Sequence, residues 1–348
     1  MSINDYDYVA FLGNGIRGSA HLVRKDNFIY VVKIQKILES EKSQARSHLA
    51  SHWVEIATLE TLQKKLNNVA RKHVPDVFDH KVGLCDYIHS VGTASILDPE
   101  LARELKRLEK SPLCLTYALE YKGHMFDMDM LKLNEKRECM AQVIYTLGQL
   151  HKIDISHNDL HFGNIVVAKS ESVIIYDGIH RTSPVCYSII DFGRSDAPTL
   201  HKKGSSMYKL AQDKIASSVD LMFLGIKLLV NNYTLETGFT LCKKLSKDTA
   251  IWNAVGEKLG MKALIFDYDV MINNMKAKPT QHTYYDIVLC MKCFLIAYGL
   301  GKRISVLVEQ SNMKLIPALP KEDYLEIALR SDELGYNSLV SYFVKKIE

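Results

Sequence analysis

The hydrophobic pattern of this 348-residue chain changes period near Lys122-Gly123, and that change restricts what the chain can become. Before it, the apolar runs are short, β-branched and aromatic. Tyr8–Leu12, Ala20–Arg24 and Phe28–Ile34, with Lys25-Asp26-Asn27 as a turn, predict a three-stranded antiparallel meander. From Ser40 to Leu66 charges interleave with Ile56, Leu59, Leu62 and Leu66, which predicts a helix. Residues Val74 to Pro112 carry Pro75, Gly83, Gly92 and Asp98-Pro99, and predict short strands with an inserted helix over Glu100–Lys110. Cys114–Tyr121 predicts a buried strand. Beyond Gly123 the pattern is helical over Glu135–Lys152, Val219–Val230, Leu235–Leu245 and Tyr284–Tyr298. Two short strands, Ile165–Val167 and Val185–Ile190, interrupt it. The expectation is an α+β molecule of two lobes. Residues 1–121 form a small antiparallel sheet lobe with one main helix, and 122–300 a larger, mainly helical lobe, with a cleft at Glu120–Gly123. Residues 301–348 form a helical extension that packs on the large lobe through Tyr324, Ile327, Leu329, Leu334, Leu339 and Phe343.

A composition of 47% hydrophobic and 24% charged residues excludes disorder over most of the chain. A formal charge of +4 argues for neither a nucleic-acid partner nor a membrane surface. The apolar stretch Val219–Val230 contains Asp220 and Lys227 and is too short to span a bilayer. Met1–Asp7 is neither a secretory signal nor a transit peptide. Seven scattered cysteines, an odd number, suit a reducing compartment, and a cytoplasmic protein is expected. Cys290 and Cys293 lack a second ligand pair for zinc and are expected to be packing thiols on a helix.

Four segments carry chemistry. Gly13-Asn14-Gly15-Ile16-Arg17-Gly18 joins two strands rather than a strand and a helix. That placement disfavours a dinucleotide fingerprint and suits either a plain glycine turn or a flap whose amides cover phosphates. Lys33, at the end of the third strand among apolar neighbours, needs partners for its ammonium. Phosphate oxygens and Glu55 on the following helix supply them, with Glu60 as the alternative carboxylate. In Ile155-Ser156-His157-Asn158-Asp159-Leu160-His161-Phe162-Gly163-Asn164, an aspartate precedes an asparagine by five residues on a loop before a strand. Asp159 would orient an attacking hydroxyl and Asn164 would offer magnesium a carbonyl oxygen. In Ile189-Ile190-Asp191-Phe192-Gly193, an aspartate just past an apolar strand would reach a metal ion bridging phosphates.

The ordered set resembles the protein-kinase superfamily. It comprises the glycine loop, Val-Val-Lys33, helix Glu55, a hinge at Glu120-Tyr121, His157-x-Asp159-x-x-x-x-Asn164, Asp191-Phe192-Gly193, and Asp220 with Gly225 five residues on. The resemblance covers about Tyr8 to Val230. It implies a two-lobed protein kinase-like fold, ATP and Mg2+ as cofactors, and a protein substrate. It implies catalytic roles for Asp159, Lys33 and His161. Gly13, Asn14, Gly15, Gly18, Lys33, Glu55, Glu120 and Tyr121 would hold the nucleotide, and Asn164 and Asp191 the metal. Asp220 would brace the catalytic-loop backbone.

Four departures matter. Asn158 stands where regulated kinases carry an arginine that pairs with an activation-loop phosphate, so activity without that phosphate is expected. His161 replaces the usual lysine, as in haspin-like, small-molecule and certain large-DNA-virus kinases; if viral, the protein would work in host cytoplasm. The segment from Gly193 to Asp220 lacks an Ala-Pro-Glu element. Lys169–Pro184 is enlarged and predicts an exposed hairpin. The leading expectation is a serine/threonine protein kinase. An aminoglycoside- or choline-type kinase, or a pseudokinase scaffold, are the alternatives.

Overall fold

The computed structural model describes residues 5–15, 18–42, 53–85, 106–216, 218–260, 281–331 and 335–347. Ile16 and Arg17 of the glycine loop, Gly92, Asp98-Pro99 and the start of the expected Glu100–Lys110 helix lie outside them. The chain divides into two compact units. One comprises Met1–Lys65, Val74–Gly123 and Ile190–Arg194; the other comprises Leu66–His73, His124–Ile189 and Ser195–Glu348.

The first unit is built on an antiparallel sheet of β1 (Asp7–Asn14), β2 (Gly18–Lys25), β3 (Phe28–Lys36), β4 (Val77–Leu84) and β5 (Leu113–Glu120). Its order is β1-β2-β3-β5-β4. Asp26 and Asn27, with φ of 50° and 67°, form the two-residue turn between β2 and β3. Asp and Asn tolerate this left-handed geometry, and the turn's twist matches that of the strands it joins. Val23, Val32, Ile34, Cys114 and Ala118 form a buried cluster on the sheet. Helix α1 (Val54–Lys65) buries Glu55, Ile56, Thr58, Leu59 and Leu62, the stripe expected of one helical face.

The second unit is mainly helical. Helix α2 (Leu133–Lys152) is its buried spine. Its first turn is closed by the Lys132 amide donating to Glu135 Oε2 at 2.7 Å. β6 (Ile165–Ala168) pairs with β9 (Cys186–Ile189), and β7 (Ser172–Tyr176) with β8 (Ile179–Ser183) through a turn at Asp177-Gly178. The expected hairpin is present, but only β8 is largely exposed. Ser172, Ile174 and Tyr176 of β7 are buried, because their alternate side chains face the core. Then follow α3 (Ser206–Ala216), α4 (Val219–Lys227), α5 (Leu235–Lys247), α6 (Thr249–Lys258), α7 (Gln281–Gly299), α8 (Lys321–Leu329) and α9 (Gly335–Ile347). The apolar run expected to be helical to Val230 ends at Lys227, and Val230-Asn231 pairs instead with Lys314-Leu315. Helix α7 packs on α4, α5 and α8, and α9 packs along α2.

Two of the thiol expectations are corrected. Cys85 is bonded to Cys114, and Cys242 to Cys290. The first bond ties the end of β4 to the start of β5; the second joins α5 to α7. Cys290 is therefore not a packing thiol. Cys293 is one, and burial pushes its pKa up to about 12. The argument from scattered thiols to a reducing compartment falls with those bonds. Among the described residues, no helix is long and apolar enough to cross a membrane.

The segment after α7 is joined to α2 by a buried ion pair. Asp323 accepts Arg137 Nε at 3.1 Å and Nη2 at 3.3 Å, and Tyr342 Oη donates to it at 2.8 Å. Arg137 also reaches the Lys346 carbonyl at 3.3 Å. Asp323 is fully buried. Replacing Arg137 with Met leaves that carboxylate without its countercharge, so the variant should lose about 3–5 kcal/mol in urea unfolding.

Candidate active site

In the sheet unit, strand register does much of the positioning. Lys33 of β3 and Tyr117 of β5 are direct cross-strand partners, so both side chains leave the same face. Glu55 meets them from α1. Lys33 Nζ donates to both Glu55 carboxylate oxygens at 2.8 Å, and Tyr117 Oη donates to Glu55 Oε2 at 2.6 Å. Gln35 Nε2 donates to the Tyr117 hydroxyl at 2.9 Å. Lys33 Nζ also reaches Asp191 Oδ1 at 3.2 Å. Glu55 rather than Glu60 is thus the helix partner of Lys33. Burial by itself would lower the lysine pKa; Glu55 and Asp191 outweigh it and leave it above the ordinary 10.5. Burial, and then the Glu55 charge, raise the Tyr117 phenol, which stays a neutral donor.

Asp191 has φ of 63°, and Phe192 behind it is fully buried in a turn packed against α1. The Asp191 side chain keeps 49% exposure, against 2% for Glu55, so of the two carboxylates Asp191 is the one accessible to a ligand. In the glycine loop the Gly15 amide donates to the Gly18 carbonyl at 2.8 Å. Gly18 sits where a Cβ would lie 1.9 Å from the Ile34 carbonyl oxygen, so only glycine fits the close approach of β2 to β3. Gly13 and Asn14 end β1. At the expected hinge, Glu120 donates its amide to the Asp76 carbonyl at 2.8 Å and pairs its carboxylate with Lys122 at 2.9 Å; Tyr121 follows the strand.

In the helical unit, Asp220 organises the loop. Fully buried near the start of α4, it accepts the His157 amide on Oδ2 and the Asn158 amide on Oδ1, both at 2.7 Å. His151, at the end of α2, places Nε2 3.5 Å from Oδ2. Burial alone would raise this carboxyl; interactions with His151 and His157 outweigh it and hold it below the ordinary 3.8. Asn158 has φ of 62°, a left-handed geometry that asparagine tolerates well. Asp159 and Asn164 are brought together: Asn164 Nδ2 donates to the Asp159 carbonyl at 2.8 Å. That bond fixes the amide orientation and leaves Oδ1 as its acceptor. His161 is half-buried, and its carbonyl accepts the Asn164 amide at 2.8 Å.

Several contributors carried no motif. Tyr117 is one. The segment after Gly193 contains another group: Asp196 accepts His201 Nε2 at 2.6 Å, Lys214 Nζ at 2.8 Å and the Ala197 amide at 2.9 Å. Its backbone pairs both ways with Ser156, at 2.9 and 3.0 Å.

Among the described residues, no group of three or more His, Cys, Asp or Glu side chains stands together for a metal. The donor chemistry nevertheless fits magnesium. That ion takes hard oxygen ligands, uses one or two protein groups and fills the rest of its shell with phosphate and water. Asn164 Oδ1 in the helical unit and the Asp191 carboxylate in the sheet unit are each oxygens of that kind.

No family model matches the chain, and no curated protein matches it either. Among solved structures it is similar to a crystal structure of a Plasmodium kinase domain, with 12% identity, 98% of this chain and 94% of that chain covered, and a TM-score of 0.49.

Two outcomes test the site's energetics. Tyr117→Phe removes one donor to a buried carboxylate and should cost about 1.5–3 kcal/mol in urea unfolding. Asp220 has a depressed folded pKa, so its contribution is fully present above the ordinary 3.8 and is lost as pH falls through the lower folded value. Asp220→Asn should therefore be clearly less stable than wild type at neutral pH, and the gap should shrink below pH 3.8, as read from urea midpoints across that range.

Proposed function

We propose that this protein is an ATP-dependent phosphotransferase, a serine/threonine protein kinase that works without activation-loop phosphorylation. The observation that carries the reading is the Lys33 ammonium between Glu55 and Asp191, at 2.8 and 3.2 Å. A strand lysine, a helix glutamate and an exposed turn aspartate in contact are suited to a triphosphate and its cation.

In this reading the amides of Gly13, Asn14, Gly15 and Gly18 cover the phosphates, and Lys33, held by Glu55, binds their oxygens. Glu120 and Tyr121 border the base. Asn164 and Asp191 each offer oxygen to Mg2+, which when bound neutralises charge on the phosphates. Asp159 accepts the hydrogen bond of the substrate hydroxyl and orients its oxygen towards the terminal phosphorus. The new P–O bond forms as the bond to the ADP oxygen breaks, and Asp159 takes the hydroxyl proton. A neutral His161 donates to the transferred phosphoryl group. Catalysis here is positioning and charge stabilisation.

Independence from a loop phosphate is supported by Asp196. Its fixed carboxylate already gathers His201 and Lys214, and its backbone joins Ser156, next to the loop that Asp220 holds. Negative charge is thus supplied by the chain itself. The absence of an Ala-Pro-Glu element favours a small-molecule acceptor as the second reading.

Labelled ATP with casein, histone and myelin protein, run against sugars, aminoglycosides and choline, decides between them. The expected result is phosphate on serine or threonine, lowered about 10²–10⁴-fold by Asp159→Ala. Transfer confined to small molecules would establish the second reading; turnover no higher than that of the variant would leave a scaffold. Alanine at Ser195, Thr199, Ser205, Ser206 and Tyr208 should leave kcat within about twofold, since no phosphate is needed there. A large loss of kcat refutes phosphate independence.

A further inference from the structure

Helix α9 takes no part in the chemistry proposed above, yet one of its side chains is linked to the catalytic loop through His151 and Asp220. Tyr336, 5% exposed, lies on α2 opposite Gly148 and His151. A Cβ at Gly148 would stand 3.1 Å from Tyr336 Cβ, so glycine leaves the room this ring occupies. Gly148 and His151 are three residues apart and share a helix face. The tyrosine ring meets the imidazole edge-on, with centroids 5.2 Å apart, and its hydroxyl lies 3.1 Å from His151 Nδ1. The other ring nitrogen lies 3.5 Å from Asp220 Oδ2, an ion-pair contact rather than a formed hydrogen bond. Asp220 in turn holds the His157 and Asn158 amides at 2.7 Å each.

A neutral imidazole carries one N–H. If that proton sat on Nδ1, a lone pair on Nε2 would face the buried Asp220 carboxylate. A tyrosine hydroxyl donating to Nδ1 selects the other tautomer and turns the N–H towards Asp220. The logic is that of outer partners which fix a histidine by engaging its second nitrogen.

We infer that Tyr336 is a positioning residue: by donating to His151 Nδ1 it fixes the imidazole tautomer that supports Asp220, and through Asp220 it sets the backbone of the loop bearing Asp159. The inference rests on the phosphotransferase reading for its kinetic consequence alone. The relay itself is a property of the helical unit. It gives the C-terminal helix a role in the reaction rather than only in packing.

Tyr336→Phe deletes the hydroxyl and keeps the ring against Gly148 and His151. In full-length protein carrying 15N-histidine, with the His151 signal assigned by its loss in His151→Gln, wild type should show the Nε2–H tautomer, and Tyr336→Phe should lose that preference. kcat should fall about tenfold, with KM for ATP little changed. In the His151→Gln background, Tyr336→Phe should produce no further fall in kcat, because the two act in series. A wild-type Nδ1–H tautomer or imidazolium overturns the inference. So does a Tyr336→Phe protein with wild-type kcat, whatever its melting temperature, or an undiminished effect of Tyr336→Phe in the His151→Gln background. Should wild type transfer phosphate to no acceptor, the functional reading fails, and the tautomer measurement still decides the relay.

Discussion

A buried carboxylate with no hydrogen-bond donors is among the most costly groups a protein can contain, and Asp220 is tolerable only because the loop before β6 supplies them. Its two oxygens take the amides of consecutive residues, His157 and Asn158, with the Asn158 backbone in left-handed geometry. The dependence runs both ways. The loop has a fixed shape because the acid is buried, and the acid stays ionised because the loop has that shape. Much of what is asked of Asp159 follows from this mutual constraint, since it belongs to no helix or strand, whereas Asn164 closes the 3-10 turn Phe162–Asn164 just before β6.

The sheet unit solves the opposite problem, a buried cation. Lys33 is kept charged by Glu55 and Asp191, and Glu55 is in turn shared with Tyr117. The two partners differ in exposure. Glu55 is locked on a helix by two neighbours, while the Asp191 side chain is half exposed on a turn. An anion arriving at Lys33 would meet first the more exposed of the two.

Much of this was legible in the sequence because it is local. The meander followed from short β-branched runs and a turn at Lys25-Asp26-Asn27, of which Asp26-Asn27 make the turn proper. Asp159 and Asn164 share one loop, and Glu55 falls on the buried face of a helix whose period is plain. What escaped reading depends on register or on distant helices. Tyr117 reaches Glu55 only because β5 pairs with β3 so that it stands opposite Lys33. Cys242 finds Cys290 across 48 residues of chain, a pairing no local pattern signals. Asp196 gathers a histidine five residues on and a lysine eighteen residues on. The end of α4 at Lys227 was hidden because the next residues are as apolar as the helix, and pair with a strand some eighty residues later.

The sheet unit is assembled from pieces that the chain does not deliver together. Its last piece, Ile190–Arg194, follows a long detour through residues of the other unit. A nascent polypeptide that has emerged only as far as Gly123 holds all five strands but neither Asp191 nor the Phe192 ring that packs against α1. Until translation passes Arg194, α1 has an uncovered apolar face, and Lys33 must share its charge with Glu55 alone. Exposed surface of that kind is where chaperones engage. The same order of synthesis means that a fragment cut at Gly123 would be a sheet without its final turn, however well its strands pair.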